Sequence, residues 1–173
     1  DNAFRVQRAE ALSVTDDLTQ LYNSRYLSQV LRREAKRASR TSQPLSLLFI
    51  DLDGFKGVND MHGHLYGSRA LVEAAAIIGE SARETDIVAR FGGDEFALIL
   101  PETTHETARI VVARLEESFG DNPFIDDVAP RASMGVAAVP TDAGKAAELK
   151  QHAGRALYDM KRGRPGSRRP TQE

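Results

Sequence analysis

Two acids follow two glycines at Gly92-Gly93-Asp94-Glu95, and a second acidic pair brackets one residue at Asp51-Leu52-Asp53. Like charges held together at the glycine turn repel, a cost that a divalent cation or a cationic ligand would relieve. The competing reading of the first pair is an ordinary Gly-Gly hairpin carrying solvated acids. Asp86–Phe91 before it and Phe96–Leu100 after it read as strands, which puts the glycines at a tight turn where positive φ is expected. Asp51 ends the apolar run that starts at Leu45, so a strand delivers it to the end where ligands sit in open α/β sheets. Alone it would read as a strand-end cap; with Asp94 and Glu95 it reads as half of a clamp.

The elements that must hold these acids are legible from periodicity. Apolar residues recur at helical spacing over Arg25–Arg40, until Pro44 stops the pattern. An Ala-rich helix is expected over Leu65–Ile78, an amphipathic one over Thr104–Phe119, a strand over Ala132–Val139 and a last helix from about Lys145 to Met160. Residues 121–130 are Pro/Asp-rich and read as a loop. The order helix, strand, helix, helix, hairpin, helix, strand, helix suits an α/β (α+β) domain, a mixed central sheet flanked by helices.

Composition bounds the function. The 173 residues are 41% hydrophobic and 28% charged, with a net charge of −2 and no cysteine. That fits one globular domain with its own core, without disulfides or thiolate metal sites. The charge speaks against a nucleic-acid-coating surface, and no apolar run reaches the length of a membrane span. A cytoplasmic setting is expected, with no membrane contact by this domain. Residues 1–15 read as the end of an amphipathic coupling helix, 16–165 as the domain and 166–173 as a basic flexible tail. The chain is expected to be the output part of a longer protein with an upstream sensor.

Gly92-Gly93-Asp94-Glu95-Phe96 resembles the signature of the GGDEF family of bacterial nucleotidyl cyclases, which includes the diguanylate cyclases. Asp16-Asp17-Leu18-Thr19 resembles the wide turn that opens such domains. Asp51-x-Asp53-x-Phe55-Lys56 with Asn59-Asp60, Gly63-His64-x-x-Gly67 and Ser133-x-Gly135-Val136-Ala137 resemble its other motifs. The resemblance implies the palm-like βαββαβ fold of class III nucleotide cyclases. It also implies a reaction in which the 3′-hydroxyl of one nucleoside triphosphate attacks the α-phosphate of another, with Mg²⁺ or Mn²⁺ as cofactor. Asp51, Asp94 and the backbone carbonyl of Leu52 are then metal ligands. Glu95 is either a further ligand or an aid in activating the hydroxyl. The amides of Phe55 and Lys56 cradle phosphates, and Lys161 binds them. The family's arginine four residues after that lysine is displaced here: Pro165 takes its place, leaving Arg164 or Arg162 as substitutes.

The base pocket departs from the family. Asn59 corresponds to a guanine contact, but the aspartate that closes Gly-His-x-x-Gly-Asp is Ser68 here. A carboxylate only accepts hydrogen bonds and so matches guanine's donors, whereas a hydroxyl donates or accepts. Losing the acid removes the repulsion against adenine's bare N1. The change resembles the hybrid promiscuous subclass, which takes GTP and ATP and makes 3′,3′-cyclic GMP–AMP beside cyclic di-GMP. A plain diguanylate cyclase and a silent cyclic-dinucleotide receptor are the alternatives. Arg83-x-x-Asp86 stands at the spacing of the family's product-binding inhibitory site, with Arg114 as its secondary arginine. Because each chain would hold one triphosphate, activity is expected to need a homodimer.

Overall fold

The computed structural model describes residues 2–122, 131–140 and 145–163. Helices α1 (Asn2–Leu12) and α2 (Ser24–Thr41) precede strand β1 (Leu45–Leu52). Helices α3 (Phe55–His62) and α4 (His64–Ser81) lead to the hairpin β2 (Ile87–Arg90) and β3 (Glu95–Pro101). Helix α5 (His105–Asp121), strand β4 (Ala132–Val139) and helix α6 (Ala146–Arg162) complete the chain. The loop expected over 121–130 falls, after 122, outside the described residues, as does the tail.

The sheet has the order β2-β3-β1-β4, so β1 and β3 occupy its middle. Every residue of β1 is buried, which is why its sequence is a continuous apolar run instead of an alternating one. The alternation reappears in which layer each side chain enters. Leu45, Leu47 and Phe49 join Ala97 and Ile99 in the core under α2 and α6. Leu48, Ile50 and Leu52 join Phe96, Leu98 and Leu100 in the core under α4 and α5. With a period of two, Asp51 and Glu95 belong to the α2/α6 side.

The expected fold class, a palm-like sheet flanked by helices, is what the chain adopts. The strand directions are simpler than expected: β1–β3, β1–β4 and β2–β3 all pair antiparallel. Each helical crossover does return a parallel strand. However, β3 lies between β1 and β2, and β1 lies between β3 and β4. The two crossovers interleave, so no parallel strands of the sheet are neighbours. The edge of β2 is partly covered by the turn after α1, where Tyr22 N–H donates to Val88 O and Arg90 N–H to Tyr22 O; a covered edge offers less to another chain.

Candidate active site

Register brings the acids together before any side chain is considered. Asp51 pairs across the ladder with Glu95 on one side and Ser133 on the other, and cross-strand neighbours on one face lie within contact of each other. Leu52 N–H donates to Asp94 O at 3.1 Å, fixing the residue before Glu95 to the end of β1. The outcome is a trio, Asp51, Asp94 and Glu95, with carboxylate oxygens within 4.8 Å of one another. Asp51 is only 6% exposed. Lys161, in the last turn of α6, donates from Nζ to Asp51 Oδ2 at 2.5 Å.

One lysine does not balance three acids. Burial, and then the charges of Asp94 and Asp53, hold the Asp51 carboxyl above its ordinary pKa against the opposing pull of Lys161. Burial raises Glu95 as well, with Asp51 and Asp94 adding to it. This is the electrostatic signature of a cation-binding place. The donors are hard oxygens on a rigid strand end and turn, the set that a divalent ion such as Mg²⁺ prefers. The residues therefore fit the implied metal.

The turn is built differently from the expectation. The positive-φ glycines are Gly54 and Gly63, not Gly92 or Gly93. Phe91 and Gly92 N–H both point to Glu95 O, at 2.8 and 3.3 Å, so the loop is wider than a two-residue turn and needs no left-handed residue. The glycines are needed for room. A Cβ on Gly92 would stand 2.9 Å from Glu95 Oε2, while one on Gly93 would meet nothing within 4 Å, leaving that side open to a ligand.

What holds the loop is Arg90. Its Nε donates to Gly92 O and Gly93 O at 3.2 Å each, its Nη2 to Gly93 O at 2.8 Å and its Nη1 to Asp16 Oδ1 at 3.2 Å. Asp16 is itself fixed by Thr19, whose backbone N–H and hydroxyl donate to Oδ2 at 2.9 and 2.7 Å. Phe91 stacks on Phe49 of β1 with ring centroids 5.0 Å apart. The wide turn and the acidic turn are thus one unit. The sequence placed Asp16 in the opening turn but did not join it to Arg90; an arginine two residues before a glycine pair and an acid 74 positions upstream give no local signal of their pairing.

On the other side of Asp51, Asp53 leaves the sheet. Its N–H donates to Arg131 O at 2.7 Å, and its Oδ1 accepts from Ser133 Oγ at 2.8 Å. Gly54 at φ 71° then starts α3 without a side-chain cap. The first amides of that helix, at Phe55 and Lys56, are donors of the kind that receive phosphate oxygens. Asn59, one turn further on, lies against Gly67 of α4, and Ser68 follows on the same helix, half-buried. Asn59, Ser68 and the acids are therefore reached from one strand end. Arg162 lies at 5.7 Å over the Tyr158 ring; Arg164 lies outside the described residues.

The expected product-binding residues gather elsewhere. Arg83 Nη2 donates to Asp86 Oδ1 at 2.9 Å, to Thr103 Oγ1 at 2.8 Å and to Pro101 O at 3.2 Å. Arg114 Nη2 donates to Ser81 O at 3.0 Å, tying α5 to the end of α4 just before this turn. A cleft of about 260 Å³ beside Arg83 is lined also by Arg37, Thr41, Thr85 and Glu102. Arg37 was not foreseen, because in sequence it is one of several cations on the outer face of α2. This site lies at the Pro101 end of β3 and the acids at its Glu95 end, about 20 Å apart at strand rise.

Comparisons with known proteins bear on the family and the fold. The family described as "Diguanylate cyclase, GGDEF domain" matches residues 13–166. The chain is 37% identical over 154 residues to the probable diguanylate cyclase DgcE of Escherichia coli strain K12, covering 87% of this chain and 14% of DgcE. It is 38% identical over 160 residues to the diguanylate cyclase DgcP of Pseudomonas aeruginosa, covering 90% and 23%. The chain thus spans well under half the length of these relatives. Among solved structures, the GGDEF domain of PA1120 (TpbB or YfiN) from P. aeruginosa superposes with a TM-score of 0.82 at 36% identity, over 88% of this chain and 91% of that one. The GGDEF domain of DgcB from Caulobacter crescentus, solved in complex with c-di-GMP, gives 0.82 at 29% identity over 87% and 88%. With the signature turn, its acids and the sheet beneath them all in register, the chain belongs to the GGDEF family of diguanylate cyclases, enzymes of nucleotidyl transfer.

Proposed function

We propose that this chain is a cyclic dinucleotide synthase that condenses two nucleoside triphosphates and accepts ATP beside GTP. The observation that carries the reaction is the cluster of Asp51, Asp94 and Glu95 with Lys161 as a counter-charge. The 3′-oxygen of one nucleotide bonds to the α-phosphorus of the other, the bond from that phosphorus to the bridging oxygen breaks, and pyrophosphate leaves. The hydroxyl proton passes to solvent or to a nearby carboxylate. A second such attack closes the ring. A divalent ion bound by Asp51, Asp94 and the Leu52 carbonyl supplies Lewis-acid charge neutralisation at the phosphates.

The chain's own residues do the rest. The amides of Phe55 and Lys56 receive phosphate oxygens, Lys161 shifts from Asp51 toward the triphosphate, and Arg162 or Arg164 adds a cation. Asn59 and Ser68 read the base. A hydroxyl at 68 offers an acceptor to guanine N1–H and a donor to adenine N1, which supports a mixed 3′,3′-cyclic GMP–AMP product. Each chain carries one acidic cluster and one base pocket, so two attacks related by symmetry call for a homodimer, with α1 as the link to an upstream sensor. Product binding at Arg83, Asp86 and Arg114 is the matching feedback; DgcB's complex with c-di-GMP supports a dinucleotide as the ligand class. Such substrates place the work in the cytoplasm.

The test is product analysis by mass after incubation with Mg²⁺ and GTP, ATP or both. Mixed cyclic GMP–AMP from the mixture is expected. Cyclic di-GMP as the sole product would leave a plain diguanylate cyclase, and no product at any protein concentration would leave a receptor.

A further inference from the structure

Asn59 Oδ1 is the one buried side-chain polar atom without a hydrogen-bond partner among the described residues. A buried acceptor left unpaired is costly and calls for a donor; a ligand N–H is the donor this location offers. The position of that oxygen is set from the facing helix. A Cβ on Gly67 would lie 1.8 Å from Asn59 Oδ1, 2.8 Å from Asn59 Cγ and 3.1 Å from Phe55 Cζ. Contacts under 3.0 Å do not survive, so Asn59 can hold this rotamer only because residue 67 lacks a side chain. The glycine is not needed for its backbone: its φ is not among the positive values, it is helical, and helix propensity by itself favours alanine there.

We propose that Gly67 is a positioning residue for nucleobase recognition. By leaving room on α4 it seats the Asn59 carboxamide with Oδ1 open to a purine exocyclic amine, guanine N2–H₂ or adenine N6–H₂. Asn59 then supplies an acceptor that both purines can use, and Ser68, the next residue on α4, supplies the group that tells them apart or fails to. The inference rests on the reading of Asn59 and Ser68 as the base pocket.

The experiment measures binding of 3′-deoxy-GTP and 3′-deoxy-ATP, which lack the attacking hydroxyl, to the wild type, Gly67→Ala, Asn59→Ala and the double variant, with a thermal melt of each. Gly67→Ala is expected to weaken both nucleotides by about tenfold, the loss of one hydrogen bond, and in turnover to raise KM while kcat changes little. Asn59→Ala should weaken binding to a similar degree. The double variant should bind no worse than Asn59→Ala, because the added methyl group then meets no carboxamide; contacting residues are coupled in this way. Losses that add in the double variant, or wild-type binding by Gly67→Ala beside a weakened Asn59→Ala, would overturn the positioning role alone. Wild-type binding by Asn59→Ala would overturn the base-pocket reading and this inference with it. Should Gly67→Ala melt too low to assay, recovery of the Asn59→Ala melting temperature in the double variant supports the clash, and failure to recover refutes it.

Discussion

Three carboxylates lie within 4.8 Å of one another, one of them almost fully buried, and their charges repel. Their chemistry was readable because residue type and neighbour carry it: adjacent acids after glycines, and an acid ending an apolar run. The partnership of Lys161 with Asp51 was not, since the sequence reading set that lysine among phosphates and gave it no carboxylate partner. Replacing Asp94 by Asn keeps the shape and removes a charge. We expect turnover to fall by at least about 100-fold, as when a group that stabilises transition-state charge is lost, with the circular-dichroism spectrum unchanged. Ordinary turnover by that variant would remove Asp94 from the site.

At the scale of elements, the site depends on contacts distant in sequence. The Arg90–Asp16 pair fastens the acidic turn to the turn before α2, replacing the left-handed glycines expected from the hairpin pattern; the pattern specified a turn but not what would hold its carbonyls. Burial alone would raise the Asp16 carboxyl, but the hydrogen bonds from Thr19 and the charge and hydrogen bond of Arg90 outweigh it and hold it below its ordinary pKa. A lowered folded-state pKa contributes stability that is complete above the unfolded value and lost as pH falls through the folded one. The stability gap between wild type and Asp16→Asn, read from urea unfolding, should therefore be constant above about pH 5 and shrink below about pH 4. A gap that grows on acidification would contradict it. The β4–α6 contact makes a second case: a Cβ on Gly135 would lie 2.2 Å from Leu157 N and 2.4 Å from Ala153 O, both backbone. Gly135→Ala must push α6 away from the sheet, at a cost of about 1–3 kcal/mol or more, and carry Lys161 away from Asp51. A denaturation midpoint equal to wild type would show that α6 is not seated there.

For the molecule as a whole, the strands and most helices were visible in periodicity, whereas their directions were not. The mixed sheet expected from helical crossovers becomes antiparallel because the crossovers interleave, a long-range fact that no window of sequence contains. The same topology puts the acids and the Arg83 site at opposite ends of β3, where the Thr103 hydroxyl, on a residue only 2% exposed, accepts from Arg83 while the Thr103 carbonyl accepts from Ser46 Oγ of β1. On the proposed reaction each chain would hold half of a catalytic centre, so specific activity should rise with protein concentration until dimers saturate; activity per chain that stays constant down to strictly monomeric preparations would contradict it. The most direct test of the account compares the wild type with Ser68→Asp on an equimolar mixture of GTP and ATP, with products separated by mass. The account predicts mixed cyclic GMP–AMP from the wild type and a shift to cyclic di-GMP when the acid is restored. The same product ratio from both proteins would contradict it.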